Sequence, residues 1–179
     1  MIPFPNKKYN IIYADPAWNY QTWGEDTSKR NVKLKYNTMS MEDIWNLPVC
    51  EIADDNCILF LWVTYPNLLN CIKTIEKWNF KYSTCAFSWI KKNKKADSLF
   101  LGLGYWTRAN NEICLLATKG NPKRVSKGVR QVVYEPIREH SRKPDCVRER
   151  IVELCGDLPR IELFARQKVD GWDYWGNEL

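Results

Sequence analysis

The chain has 179 residues, 45% hydrophobic and 27% charged, which suits one compact domain spanning 1–179 and leaves no room for a second. It holds no window of about 18 apolar residues, and the opening MIPFPNKKYN lacks the apolar centre of a signal peptide, so the reading is a cytoplasmic protein with no membrane span. Seven cysteines, no two of them two to four residues apart, argue against a zinc site or a disulfide framework, and one histidine excludes a multi-histidine metal centre.

In chain order, the first apolar run is Tyr9–Ala14, YNIIYA, a buried strand. Ser40 then precedes MEDIWNL and its early acidic residues, which predicts an N-capped helix. Cys57–Thr64 (CILFLWVT) is a second strand. Pro66 opens a helix whose Leu68, Leu69, Ile72 and Ile75 share one face, extended by Trp78. Thr84–Ile90, Glu112–Thr118 and Gln131–Tyr134 read as further strands. Pro144 begins a helix with Val147, Ile151 and Leu154 at helical spacing and Gly156 past its end, and Arg160–Phe164 is the last strand. Strands alternating with helices imply an α/β sandwich on a mostly parallel sheet.

Three polar stretches interrupt this pattern. Lys29, Arg30, Lys33 and Lys35 lie in the first, Lys91, Lys92, Lys94 and Lys95 in the second, and Lys119, Lys123, Arg124, Lys127 and Arg130 in the third. With nine Trp, nine Tyr and a net charge of +6, they suggest a basic funnel at one rim of the sheet, suited to stacked bases and phosphates. Lys91, Lys123, Arg124 and Lys127 are its candidate phosphate contacts. Solvated lysines on unrelated loops are the competing reading.

The first strand ends in Asp15-Pro16-Ala17-Trp18. In a parallel α/β sheet, ligands bind beyond the carboxyl ends of the strands, where this motif sits. The exocyclic amine of a nucleobase is a poor nucleophile, because its lone pair is delocalised into the ring. A carboxylate and a backbone carbonyl accepting its two N–H groups would align it with an electrophilic methyl group, and Trp18 could stack on the base. An Asp-Pro turn that merely ends a strand above a core Trp has the same sequence.

Further blocks share an order with a known family: KYNTMSMEDI at 35–44, LFLWVT at 59–64, SWIKKNK at 88–94, NEICLLATKGNP at 111–122, HSRKPD at 140–145, RIELFAR at 160–166 and GWDYWGNEL at 171–179. Together with DPAW they resemble the DPPW-type adenine N6-methyltransferases, which include messenger-RNA and bacterial and phage DNA enzymes. The resemblance implies a Rossmann-like methyltransferase sandwich in permuted motif order, with S-adenosylmethionine as cofactor and no metal. It implies Asp15 as the catalytic acidic residue, the backbone carbonyl after Pro16 as second acceptor, and Trp18 beside the base. For the cofactor it implies Asp15, Lys143, Arg166, Asn177 and Glu178. Tyr36 and Trp89 match positions near the adenine pocket, and a core role is the alternative for both. Ala17 replaces the family's second proline, which removes one fixed φ angle but keeps the carbonyl.

The expected reaction is methyl transfer to the N6 amine of adenine in DNA, with RNA second. Cytosine N4 methylation and a catalytically silent nucleic-acid-binding subunit are the rivals. The expected partner is nucleic acid, with a homodimer or partner subunit also open.

Overall fold

The computed structural model describes residues 2–18, 39–104, 106–139 and 142–177. Tyr36, Glu178 and the first basic stretch lie outside these residues. A seven-stranded sheet carries the fold, with β1 Tyr9–Ala14, β2 Ala53–Val63, β3 Lys81–Lys92, β4 Asn111–Lys119, β5 Val132–Pro136, β6 Arg160–Leu163 and β7 Asp173–Trp175. Their order across the sheet is β5-β3-β4-β2-β1-β6-β7. β1 is parallel to β2 and β6, β3 to β5, and β6 to β7, while β4 runs antiparallel to both β2 and β3. This is the mostly parallel, Rossmann-like sheet that the strand pattern predicts.

Both faces of the sheet are covered. In β1, Ile12 and Ala14 face one core and Ile11 and Tyr13 the other; β2 divides the same way into Leu59, Leu61 and Val63 against Ile58, Phe60 and Trp62. The period of two, with both faces apolar, is why these strands read as unbroken hydrophobic runs. Helices α1 (Met41–Trp45) and α3 (Leu68–Lys77), with the single turn α2 (Val49–Ile52), supply Ile44, Val49, Cys71 and Ile75 to the first core. Helix α4 (Cys146–Cys155) supplies Val147, Ile151 and Cys155 to the second.

Local chemistry explains the helix ends. Ser40 and Asp43 form a capping box at α1, each side chain satisfying the other's backbone N–H. Gly156 closes α4 at φ 90°, a conformation that costs glycine nothing. The expected apolar face of α3 needs one correction: Leu69 is 85% exposed, and Cys71, Thr74 and Ile75 are the buried set. Positions 68, 71, 72, 75 and 78 make the inner stripe, and Leu69 falls one step outside it. Trp78 completes the stripe, its indole N–H donating to Ile44 O at 2.8 Å and so tying α3 to α1. β7 and α2 went unread because each is short and only partly apolar.

All seven cysteines are unpaired, and Cys57, Cys71, Cys114 and Cys155 are buried. Among the described residues, no helix is long and apolar enough to cross a membrane.

The two sides of α3 should respond differently to truncation. Ile75→Ala should lower unfolding free energy by about 2–5 kcal/mol, and Leu69→Ala should change it by less than about 0.5 kcal/mol, both read from urea denaturation.

Candidate active site

β1 is the switch point of the sheet. From it the chain builds outward through β2, then returns through α4 to place β6 on β1's other edge, and a crevice opens beyond the carboxyl ends of β1 and β6. Asp15 follows β1 and Phe164 follows β6. Two cavities meet there. A larger one of about 560 Å³ is lined by Asp15, Lys94, Arg138, Lys143, Phe164 and Arg166 among others. A narrower one is lined by Asp15, Ala17, Phe164, Arg166, Gly176 and Asn177 among others. Asp15, Phe164 and Arg166 belong to both.

At the larger cavity, ionic side chains from four elements are joined in series. Lys143 Nζ donates to Asp15 Oδ2 at 2.8 Å and meets Glu112 Oε2 at 3.1 Å, and Lys91 Nζ bonds the other oxygen of Glu112. The Lys143 and Glu112 side chains are each 7% exposed. Burial alone pushes the Glu112 carboxyl up, but Lys143 and Lys91 outweigh it and hold the group below its usual range. Burial also pushes the Lys143 ammonium down, and Asp15 and Glu112 reverse this, so that it stays protonated well above its ordinary value. Its floor is the Trp62 ring, 5.6 Å from Nζ to the centroid.

A second cluster lies on the wall. Arg148 clamps Glu162 with two hydrogen bonds of 2.7 and 2.8 Å, and its third nitrogen reaches Asp145 at 3.0 Å. Asp145 also accepts from Arg142 and Arg138, and these arginines overcome the cost of burial to hold its carboxyl at about 2. Asp145 thereby fixes two arginines at the cavity mouth.

The structure moves several expected residues. Trp18 is 5% exposed, with its indole N–H bonded to Trp62 O at 2.8 Å. It anchors the DPAW turn in the core and offers no face to a base. Trp89 is 1% exposed, with its N–H on Glu135 O at 2.9 Å, and is likewise a core residue. The Pro16 carbonyl accepts the Trp18 N–H at 2.8 Å, leaving one lone pair for a ligand. Lys91 is part of the ionic series and not an outward phosphate contact.

Of the two basic stretches among the described residues, only one leaves from the Asp15 rim, so these two do not form the expected funnel together. Because β4 is antiparallel, its last residue Lys119 pairs with Cys57 near the start of β2, at the end of the sheet opposite Asp15. The segment after it bonds the far end of α4 through Val125 N to Leu154 O, 2.8 Å. Lys123, Arg124 and Lys127 therefore follow from the opposite rim, where Lys119 lies about 17 Å from the level of Asp15 along the strand. The second stretch does leave from the Asp15 rim, but Lys92 there pairs with Asp97.

Glu112, Arg138, Arg142, Arg148 and Glu162 are site residues that the sequence reading missed. A signal was present: Glu162 interrupts the apolar run of β6 and Glu112 directly precedes that of β4, and a carboxylate buried in a strand needs a cation. Phe164, at φ 60°, is a bulky residue in left-handed backbone that turns the chain sharply beyond β6 into both cavities.

The fold is an α/β, Rossmann-like methyltransferase fold with a crevice beyond the ends of its central strands. The MT-A70 family profile matches residues 9–178, and the chain belongs to the MT-A70 family, a family of methyltransferases. It is 34% identical to the type II methyltransferase M.MunI of a Mycoplasma species, over 98% of this chain and 79% of that protein. It is 29% identical to the N(6)-adenosine-methyltransferase MT-A70-like protein of Arabidopsis thaliana and 28% to the human N(6)-adenosine-methyltransferase catalytic subunit METTL3, in each case over 96% of this chain. The chain spans 24% and 28% of the length of those two.

The ionic series should govern acid stability. Glu112 is depressed below 4.5, so its contribution is complete above that value and is lost as pH falls through the lower folded value; the Lys143 contribution is complete below 10.5 and is lost only at higher pH. Urea unfolding of Glu112→Gln should lose less stability between about pH 6 and pH 3 than the parent protein does. Glu112→Ala, which takes the carboxylate from Lys91 and leaves Lys143 with Asp15 alone, should cost about 1–3 kcal/mol near neutrality.

Proposed function

We propose that this protein transfers a methyl group from S-adenosylmethionine to the N6 amine of adenine in DNA, acting in the cytoplasm as a single domain. The observation that carries this reading is the Asp15 carboxylate, held by Lys143 at the mouth of two cavities beyond β1. The cavities fit the cofactor chemically. A zwitterionic amino-acid group needs both signs of charge nearby, and Asp15, Lys143 and Arg166 provide them at one cavity; Arg166 and Asn177 at the other offer hydrogen bonds to ribose hydroxyls. Bound there, the cofactor supplies an electrophilic methyl group.

The chain's own part is positioning. With Oδ2 of Asp15 taken by Lys143, Oδ1 is the acceptor for one amine N–H, and the remaining lone pair of the Pro16 carbonyl serves the other. Together they orient the nitrogen and favour the positive charge that develops on it. Asp15 Oδ1 would also take up the surplus proton of the amine once it carries the methyl group. Phe164 and the buried Trp62 floor limit water at this point.

DNA is supported by the similarity to the type II methyltransferase M.MunI, which covers most of both chains. RNA is the second reading, favoured by the relatives named as N(6)-adenosine-methyltransferases, since adenosine is a ribonucleoside. Incubation with labelled S-adenosylmethionine and either nucleic acid, followed by digestion to nucleosides, distinguishes them: label in N6-methyldeoxyadenosine is the expected result, and label in the ribonucleoside or in N4-methylcytosine replaces the DNA reading.

Asp15→Ala should reduce methyl transfer by about a hundredfold or more, the scale of removing one preorganised electrostatic partner, in a protein whose circular dichroism matches the parent's. Replacing Lys123, Arg124 and Lys127 together by alanine should leave turnover within about twofold, because they lie on the far rim.

A further inference from the structure

The stretch between β3 and β4 presents an apolar surface that neither core uses. Its root is pinned to the site: Leu99 bridges Lys92, Phe100 N bonds Lys91 O at 2.8 Å, and Lys91 N bonds Asn110 O at 2.8 Å. Asn93 braces the turn through Ser98 Oγ and Leu99 O. Beyond this root, Gly102 and Gly104 press against the returning backbone. A Cβ on them would lie 2.0 Å from Ala109 O and 1.9 Å from Thr107 O, so the inner side has no room for side chains. The large apolar residues consequently face outward, with Leu101 73%, Leu103 85% and Trp106 91% exposed.

Exposed Leu and Trp side chains on a braced loop carry a hydration cost that a partner would remove. The surroundings identify its chemistry. The segment 91–110 carries Lys91, Lys92, Lys94, Lys95 and Arg108 against the single acid Asp97. Lys94, Lys95 and Arg108 are exposed on this same segment, and Lys94 also lines the cavity with Asp15. A second copy of this chain would set these cations against themselves across a two-fold axis, and three side chains fall well short of the roughly 800 Å² per partner that a stable interface buries. A polyanion with an apolar interior matches both features, and a nucleic-acid duplex is such a partner.

We propose that Leu101, Leu103 and Trp106 form a wedge that enters a DNA duplex beside the target adenine and occupies the space its base vacates. The inference rests on the methyltransferase reading above. An N6 amine cannot reach Asp15 from within a stacked duplex, so the base must leave the stack, and the loop stands on the same rim as Asp15. Apolar side chains inserted between base steps offset the cost of unstacking, and the exposed Lys94, Lys95 and Arg108 are the cations left to meet the backbone. Single-stranded substrate needs no wedge.

The test compares the parent protein with the variant Leu101→Ala/Leu103→Ala/Trp106→Ala, whose changes are all at the surface. Mixed-sequence DNA fragments are presented as duplex and after denaturation, with both methyl incorporation and binding by fluorescence anisotropy as readouts. The wedge predicts that the variant loses about tenfold or more on duplex, the size of one lost stacking contact, and stays within about twofold on single strands. Equal effects on the two forms, or none on either, would overturn it. So would a change in mass by light scattering from a dimer to a monomer, which would make the loop a protein interface. If the parent methylates neither form, the proposed function fails, and the ratio of duplex to single-strand binding still decides the wedge.

Discussion

A carboxylate can work at the end of β1 only because a buried ammonium holds it there. Lys143 sits almost wholly out of water between Asp15 and Glu112, and neither carboxylate nor ammonium would be tolerable in that position alone. Desolvation strengthens each attraction in the series, and the geometry is correspondingly fixed. The series also spans the molecule: Asp15 from the end of β1, Glu112 from β4, Lys91 from β3 and Lys143 from the approach to α4. Loss of Lys143 alone takes a partner from both carboxylates, so the Asp15 carboxylate and the rim of the sheet are stabilised by the same contacts.

That arrangement depends on the one antiparallel strand. β4 enters the sheet from the Asp15 rim, which puts its first residues, including Glu112, within reach of Lys143. The same direction carries its last residue to the far rim, and with it Lys123, Arg124 and Lys127. A parallel β4 would have reversed both placements. Strand direction therefore decides which charges belong to the site, and local sequence does not state strand direction. The net charge of +6 is an attribute of the whole surface, whereas the cavity is furnished by arginines held on Asp145 and Glu162.

What could be read from the sequence follows from this distinction. Six of the seven strands were legible: strands such as β1 and β2, buried on both faces, produce apolar runs, whereas β5 was legible from its β-branched and aromatic residues although Val132 and Tyr134 prove exposed. The α1 cap was legible because Ser40 and Asp43 act on their immediate neighbours. Asp15 and Lys143 were legible as residues from their motifs, although their contact, across 128 positions, was not. Aromatic residues misled in a consistent way. Trp18 and Trp89 stand in motifs associated with a base pocket, yet each has an indole N–H satisfied by a buried carbonyl, and this is a tertiary fact. The arginine clamps went unseen because attention to positive charge favoured runs of lysine, while the operative signal was a lone glutamate inside an apolar strand.

The second side of the crevice is built by backbone constraint more than by charge. Phe164 adopts a left-handed conformation that a bulky residue takes only when its surroundings impose it. The constraint is visible in β7: Ala165 N donates to Trp175 O at 3.0 Å, and Gly176 lies so near that a Cβ there would stand 2.6 Å from Ala165 O. β7 thus pins the chain just after β6 turns, and Trp175 packs edge-on against the Phe164 ring, with centroids 5.5 Å apart. A short strand with little core of its own, and no clear sequence signature, fixes the turn that brings Phe164 and Arg166 to both cavities. Asp15 is thereby faced across the crevice by a wall whose position is set independently of the ionic series. A ligand lodged between them meets one side held by charge and the other by steric closure, so changes that loosen one wall leave the other in place.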